Sequence, residues 1–519
     1  MTTYPDVTGR RGDDRESTAA GSTGPDAIRA AIERFHAILA HDRVASSTHD
    51  LLARRQHDAG LRVEGRPYSS TLRPRLIAGT DHARICTTAA LLTGAVHRLA
   101  AHALADDEMG RRVRSILAPA PLEMAVAAMA PATDGAPDHG RLDGFLDGER
   151  IAFVEYNAHP PGGVLTQDII AEIYADTPAM RAFTREFPTH STATGPRVAD
   201  TLLHAWETGG APGGHPSVAI VECGTSVAGW EFHHLREHLA NQGIDALVCS
   251  TDDLTYTPGQ GLRARDDNGS HRPVTVVYRR AVLTDLIARH GNSLPEHPMM
   301  RGWADGACVM VNSPSSHLAH KKSALALLTD PTTRHLLSPR ERTAARAHVP
   351  WTRLLRPGST THGDREIDLL DFAQCRRDQL ILKPNDSYGG HGILRGRHRT
   401  ERQWRDDLRR ALTVPHVLQE RVSIPRIPYP RWHEGRLLVD DWYEGTDPYL
   451  FGTTAHGCIS RLGHDDIINV STGGTGVPVF QLTTARGQER SRPTGRSGGS
   501  LEPDGRAPAP HPVRPTTSS

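Results

Sequence analysis

The segment Leu380-Ile-Leu-Lys383-Pro-Asn-Asp-Ser387-Tyr-Gly389-Gly390-His-Gly392-Ile reads as a buried strand that ends in a lysine and runs into a loop with three glycines. The chemistry this suits is phosphate binding. A loop with little side chain lets backbone N–H groups close on phosphate oxygens, and a lysine at the strand end adds a point charge. No GxxxxGK(S/T) occurs in the chain, so this is not a Walker loop. A tight hairpin with a surface lysine fits the same residues. Composition favours the first reading, because of sixty basic residues only Lys321, Lys322 and Lys383 are lysine and the rest are arginine. Lysine is therefore kept where a compact, strongly hydrated ammonium serves better than a planar guanidinium. Asparagine is thinned in the same way: there are seven, and Asn157, Asn312, Asn385 and Asn469 fall in the segments that could do chemistry.

A second set of residues could hold a metal. Around the turn dipeptide Asp147-Gly148, two alternating runs, Arg141-Leu-Asp143-Gly-Phe-Leu and Ile151-Ala-Phe-Val-Glu155-Tyr-Asn157, predict a β-hairpin. Asp143 lies on one arm with Arg141 two residues away on the same face, and Glu155 and Asn157 lie on the other arm. Three oxygen ligands without cysteine or histidine suit Mg²⁺, a hard cation usually held by one or two carboxylates plus substrate phosphates. A charged solvent face alternating with Ala152 and Val154 fits the pattern as well. Geometry separates the two readings. If Asp147-Gly148 is a simple two-residue turn, Asp143 pairs with Ala152 and points away from Glu155 and Asn157. A shared metal therefore requires a bulge or an odd loop between Arg141 and Asn157.

Two further segments carry less information. The run Asn312 to Lys321-Lys322 places a turn and a lysine pair before an apolar helix, where amides and ammonium groups either meet an anion or are solvated at a helix start. Val417-Leu-Gln419-Glu420-Arg421-Val422 reads as a strand entering a connector, the kind of backbone edge that can pair with adenine.

These segments need a scaffold to bring them together. A chain of 519 residues and 56.6 kDa implies about three structural units. Residues 1–25 read as a disordered start and 26–208 as a helical lead-in followed by the hairpin. Residues 215–299 read as a βαβ unit, entered through the glycine-rich Gly209 to Gly214 linker. Residues 300–482 hold all three lysines, and 483–519 are a Pro, Gly, Ser, Thr and Arg tail expected to be disordered. The βαβ turn has no GxGxxG, so a dinucleotide site is not supported, and His233, His234 and His238 read as solvated helix residues. Acidic and basic residues number sixty each, which gives no global reason for a nucleic-acid or anionic-membrane partner. The longest weakly polar run, Ile85 to Val96, falls short of the roughly 20 residues that cross a bilayer. Arg10-Arg11 lacks the apolar region of a signal, so a cytoplasmic protein is expected. The six cysteines show no CxxC spacing and read as buried reduced thiols, not as a zinc site or disulfide frame.

Taken together, Arg141-x-Asp143, Glu155-x-Asn157, Lys322, Lys383, the Ser387 to Gly392 loop and Gln419-Glu420 resemble the circularly permuted ATP-grasp proteins related to glutathionylspermidine synthase. The resemblance spans about residues 140–480 and includes Val276 to Arg280, Ile459 to Arg461 and Ile468 to Gly474. It implies a fold of mixed α+β and α/β character: an ATP-grasp with permuted strand order, an inserted βαβ unit like a pre-ATP-grasp domain, and a helical N-terminal region. It implies ATP and Mg²⁺, with Asp143, Glu155 and Asn157 on the metal and Lys322 and Lys383 on phosphates. Ser387, Gly389, Gly390 and Gly392 would close over those phosphates, and Gln419, Glu420 and Val422 would lie at the adenine. Arg141 would stabilise the transferring phosphoryl group or the acyl intermediate, while Arg280 and Arg461 would hold a substrate carboxylate or form structural salt bridges. The chemistry implied is ligation of a carboxylate and an amine, forming ADP. The carboxylate partner would be a small molecule, a peptide or a carrier-bound group, and a homodimer is compatible with this reading. A phosphotransferase acting on a hydroxyl, or a non-catalytic nucleotide-binding partner protein, would use the same fold. The cysteine amidase domain that some of these synthetases carry has no room before residue 140, and Pro160 to Gly163 has no role in the pattern.

Overall fold

The N-terminal helices follow the apolar spacing of the sequence. Helix α1 (Pro25–Leu39) begins at a proline, has Asp26 in its first turn and buries Ala31, Phe35, Ile38 and Leu39. This is a computed structural model, and it describes residues 24–483 except 42, 132–138, 211–213 and 225–228. The stretches expected to be disordered, apart from the last residues before α1 and Thr483, lie outside the described residues, as does half of the glycine linker. Helix α2 (Val44–Asp58) follows. Next comes a strand that the helical reading of this region overlooked: β1 (Arg75–Ala78), all four residues of it buried. Four residues are too few to show a period of two, and only its partner far along the chain makes it a strand. Helices α3 (Gly79–Ala101) and α4 (Glu108–Leu117) continue the lead-in, with the Asp107 carboxylate accepting from the Gly110 N–H as a cap.

Strands β2 (His139–Asp147) and β3 (Arg150–Asn157) form the expected hairpin, followed by α5 (Val164–Ala175) and α6 (Gly195–Thr208). Strand β4 (Ser217–Glu222), helix α7 (Gly229–Asn241), β5 (Asp245–Ser250), β6 (Val276–Arg279) and β7 (Val309–Val311) come next. These four strands make a parallel sheet in the order β7-β6-β4-β5. Val218 to Val221 are fully buried, as expected of a parallel strand covered on both faces. The sheet reaches Val311, past the boundary at 299 that the sequence pattern drew.

A second four-stranded sheet is antiparallel, in the order β8-β11-β9-β10. It is built from β8 (Thr352–Leu354), β9 (Leu380–Pro384), β10 (Leu394–Arg395) and β11 (His416–Glu420), with α8 (Glu401–Ala411) across it. Thr400 and Gln403 close a capping box on α8, and its Trp404, Leu408 and Ala411 stripe packs on Leu380, Leu382 and Leu418. Full burial of Leu408 alone is worth roughly 1.5–3 kcal/mol, more than any propensity difference in the helix.

The remaining strands, β12 (Arg426–His433), β13 (Arg436–Phe451), β14 (Thr454–Gly463) and β15 (Thr475–Leu482), join β1 and the hairpin in an eight-stranded sheet. Its order is β1-β15-β14-β13-β2-β3, with β12 beside β13 and the short Thr189–His190 strand beside β15. The hairpin near residue 150 is thus paired to a strand near residue 450. The architecture is mixed α/β with several sheets, and among the described residues no helix is long and apolar enough to cross a membrane.

Candidate functional site

The hairpin contains the bulge that a shared site requires. Asp147 pairs with Arg150 and Gly144 with Phe153, but Asp143 pairs with Glu155, so Val154 is the extra residue. Without it Asp143 would oppose Val154, and Glu155 would point to the other face. With it, Arg141, Asp143, Glu155 and Asn157 share one face, and all four line a cavity of about 300 Å³. The turn is Gly148-Glu149, with Gly148 at φ +59°, so the odd residue lies in the strand and not in the loop.

The bulge also turns the Val154 carbonyl toward the lysine on β9. Lys383 Nζ donates to that carbonyl at 3.3 Å and to Gln419 Oε1 at 2.7 Å, and Gln419 Nε2 donates to the same carbonyl at 3.2 Å. Burial pulls the Lys383 ammonium down to about 8; Glu155 opposes the shift and Lys322 adds to it. Lys322 donates to Glu155 Oε1 at 2.9 Å and to the Ser387 carbonyl. The apolar helix expected after it is a series of short turns, Lys322–Leu325 and Ala326–Thr329. Gly389, Gly390 and Gly392 all have positive φ, the conformation for which glycine is needed, and a Cβ on Gly390 would lie 2.8 Å from Ile467. The loop is held at both ends of its tip: Asn469 Nδ2 donates to the Gly389 carbonyl at 2.8 Å, and the Tyr388 hydroxyl donates to Asp285 at 3.3 Å.

Lys383, Gly389, Gly390, Gln419, Glu420 and Val422 line the same cavity as the hairpin carboxylates. Ile381, Ile393, Val422, Ile424, Ile467 and Ile468 give it an apolar part, with Lys383 and the carboxylates at its polar part. Lys322 and Ser387 stand behind this wall and touch it through Glu155.

A second cavity of about 540 Å³ adjoins the first, and Arg141, His159, Val282, Tyr388, Arg461 and Asn469 line both. Arg280, on the parallel sheet, opens into this second cavity only. The Pro160 to Gly163 run, left without a role by the sequence, is its corner. Arg280 donates to the Pro160 carbonyl, Arg141 donates to the Gly162 carbonyl at 3.1 Å, and Glu231 accepts from the Gly163 N–H at 2.8 Å as the cap of α5. Gly163, at φ +93°, has no room for a Cβ, which would lie 2.8 Å from the Tyr449 hydroxyl. Three residues lining this cavity each carry a buried polar atom without a hydrogen-bond partner among the described residues: His159 at Nε2, Arg280 at Nε and Trp230 at Nε1. Burial, with Arg280 adding, pulls the His159 imidazole down to about 3, so it is neutral near pH 7.

Between the cavities lies an ion cluster. Asp143 is bound by Arg141 Nε at 2.7 Å and by Arg461 at 2.8 Å, and Arg461 Nε also binds Asp447 at 2.6 Å. Burial pushes the Asp143 carboxyl up, but Arg141 and Arg461 outweigh it and hold the group well below the usual range. Asp447 is raised instead, because burial exceeds the pull of Arg461 and Asp143 adds to the rise. The sequence reading missed Asp447. Its one signal was an acid inside a strand whose residues from Glu444 to Phe451 are all buried. It also missed Glu231, which comes to Gly163 from another sheet layer. The donor types fit a hard divalent cation: Asp143, Glu155 and Asn157 put three oxygen donors on one face of the hairpin.

No protein-family model matches the chain. It is 26% identical over 291 residues to a Frankia alni protein named "Putative glutamate--cysteine ligase 2-3", over 53% of this chain and 30% of that protein. The chain thus spans about 30% of the length of this curated relative. Among solved structures it is similar to a glutathione synthetase like-effector from Globodera pallida in apo form, with a TM-score of 0.55 and 12% identity over 84% of this chain and 97% of the effector. By fold, then, the chain is similar to this glutathione synthetase like-effector.

Proposed function

We propose that the protein is an ATP-dependent carboxylate–amine ligase that forms ADP and an amide or peptide-type bond, with the strand order of a circularly permuted ATP-grasp. The observation that carries this reading is the pair of adjoining cavities sharing Arg141 and Arg461, one with lysine, glycine loop and apolar lining, the other with unpartnered polar groups. In it, the purine lies among Ile381, Val422, Ile424 and Ile467 against the Gln419 to Val422 edge, and the phosphates meet Lys383, Lys322 and the Ser387 to Gly392 loop. Asp143, Glu155 and Asn157 would hold magnesium, which neutralises phosphate charge when bound. Lys322 and Arg141 now pair with Glu155 and Asp143, and the phosphates would draw these cations away and free the carboxylates. A carboxylate held by Arg280 takes the γ-phosphoryl group of ATP, which gives an acyl phosphate and ADP. An amine then attacks the acyl carbon, phosphate leaves and the amine proton passes to solvent. Arg141 and Arg461, standing between the cavities, stabilise the charge that develops at each step.

The relative's name suggests the first pair to test, glutamate as carboxylate and cysteine as amine. The test is ADP release over pools of amino acids, small peptides and polyamines, with mass spectrometry of the products. An amide product with one ADP per bond supports ligation, a stable phosphoester would show a phosphotransferase, and no turnover with any pool would show a non-catalytic nucleotide binder.

A further inference from the structure

One cluster of metal-type side chains lies outside both cavities. His82 and Cys86 stand one turn apart on α3, and Cys458 faces them from β14. Their ligand atoms all lie within 4.8 Å of one another, and all three side chains are buried. The Cys86 sulfur is 4.0 Å from His82 Nδ1 and 3.9 Å from Nε2. Across a tetrahedral zinc, with Zn–S about 2.3 Å and Zn–N about 2.0 Å, sulfur and nitrogen are about 3.5 Å apart, so small side-chain movements close the site.

A second cluster of similar composition, Glu123, His317 and Asp386, is different in one respect. Lys321 Nζ binds Glu123 at 2.8 Å and Asp386 at 2.6 Å, so an ammonium is already the cation there. Around His82, Cys86 and Cys458 the side chains that act most on the Cys86 thiol are Cys458 and His82, not a Lys or Arg. The cysteine spacing gave no sign of this, because 372 positions separate Cys86 from Cys458 and no CxxC links them.

We propose that His82, Cys86 and Cys458 bind a zinc-type transition-metal ion, which fastens α3 to β14. Two thiolates and an imidazole suit Zn²⁺ and disfavour Mg²⁺ or Ca²⁺. Each thiol gives up its proton on binding. Cys458 precedes Arg461 by three residues on the same strand, so the ion would also steady the strand that carries the inter-cavity arginine.

The test uses the full chain, reduced, stripped with a chelator and titrated with Zn²⁺ alone and with Co²⁺ alone. One equivalent bound, thiolate-to-cobalt charge-transfer absorption, protection of Cys86 and Cys458 from alkylation and a zinc-dependent rise in melting temperature are expected. Cys86→Ser should abolish the cobalt absorption, and Cys375→Ser, at an exposed thiol, should leave it intact. Because a serine in a buried site can unfold the chain, His82→Asn is the second variant. Folded by circular dichroism, it should bind zinc at least about tenfold more weakly. Substoichiometric zinc without cobalt–thiolate absorption would overturn the proposal. So would binding unchanged in folded Cys86→Ser or His82→Asn, or a Cys86–Cys458 disulfide with no zinc in protein isolated without reductant.

Discussion

Lys321 and Lys322 are neighbours in sequence and opposites in setting. The Lys321 side chain is fully buried in a nearly closed group with Glu123, His317 and Asp386, where carboxylates meet it at 2.6 and 2.8 Å and neither of the two adjoining cavities reaches it; Asp386 alone borders other open space. Lys322, through Glu155, belongs to the hairpin group of Arg141, Asp143, Asp447, Arg461 and Lys383, most of which borders open space. Both groups are rich in buried charge. In the first every charge is matched by another part of the same chain, so its energy goes into holding the fold. In the second the same kind of pairing faces a cavity of ligand size, so the partners can be exchanged for a substrate's charges. Scarcity of lysine therefore marks two roles at once, and the sequence alone could not separate them.

The sharpest way to break this contrast is to remove Lys321. Lys321→Ala leaves Glu123 and Asp386 with His317 as their remaining partner and should cost about 3–5 kcal/mol of stability, read by thermal or urea unfolding. Turnover per folded molecule should not change. If Lys321→Ala folds normally and loses activity, the closed group is part of the site and the contrast fails.

Lys383→Ala should do the reverse. Gln419 keeps its bond to the Thr352 hydroxyl at 3.0 Å, so the fold should survive. ATP turnover should fall about 10²–10³-fold, as when one preorganised donor to a charged transition state is lost. Lys383→Arg should recover little, because a planar fork does not fill the place of a compact ammonium against Gln419 and the bulge. Near-normal kinetics for Lys383→Arg would show that lysine scarcity carries no information.

How far the sequence reaches can be judged on the hairpin. The need for an odd residue between Arg141 and Asn157 followed from face alternation alone, but its position at Val154 did not, since each residue from Gly144 to Val154 could have absorbed it. Ser217–Glu222 and Gly229–Asn241 were legible because their patterns are local: one apolar run, one amphipathic turn series. Asp447, Glu231 and Arg75–Ala78 were not, because each takes its meaning from a partner far along the chain. Asp447 meets the Gly144 N–H across 303 positions, and Arg75 pairs with Val479. Asn312 and Asn385 show a subtler error. Scarce and inside suggestive motifs, they are backbone ties: Asn312 Nδ2 donates to the His139 and Ala158 carbonyls at 2.9 Å, and Asn385 Nδ2 to the Leu117 carbonyl at 2.8 Å.

Acid sharpens the contrast from the side of the closed group. Burial alone would push the Glu123 carboxyl up, but His317 and Lys321 bring it down to about 2 from 4.5. A carboxyl depressed in the fold contributes stability that is complete above the unfolded value of 4.5 and is lost as pH falls through about 2. The contribution is about 3 kcal/mol. In Glu123→Gln the decline of stability below pH 4.5 should be shallower than in the wild type by this amount. An unchanged acid limb would show that Glu123 does not hold the group together.

The smallest effect should come from the tip of the glycine loop. The Tyr388 ring is about half exposed, and its hydroxyl reaches Asp285 on the parallel-sheet side at 3.3 Å, a long bond at the limit of useful geometry. Such a bond, partly open to water, contributes about 0.5–1 kcal/mol, which is about two- to fivefold in an equilibrium constant. It ties the loop proposed to cover the phosphates to the lobe proposed to hold the acceptor, so its loss should loosen closure without touching Lys383 or the hairpin. Tyr388→Phe keeps the ring and removes the tie. The expected result is a two- to fivefold rise in KM for ATP with kcat nearly unchanged, reproduced by Asp285→Ala and not further increased in the double variant. A large fall in kcat for Tyr388→Phe would mean that the hydroxyl acts on the reacting groups themselves, and the boundary between the positioning loop and the charged centre would have to be redrawn around Tyr388.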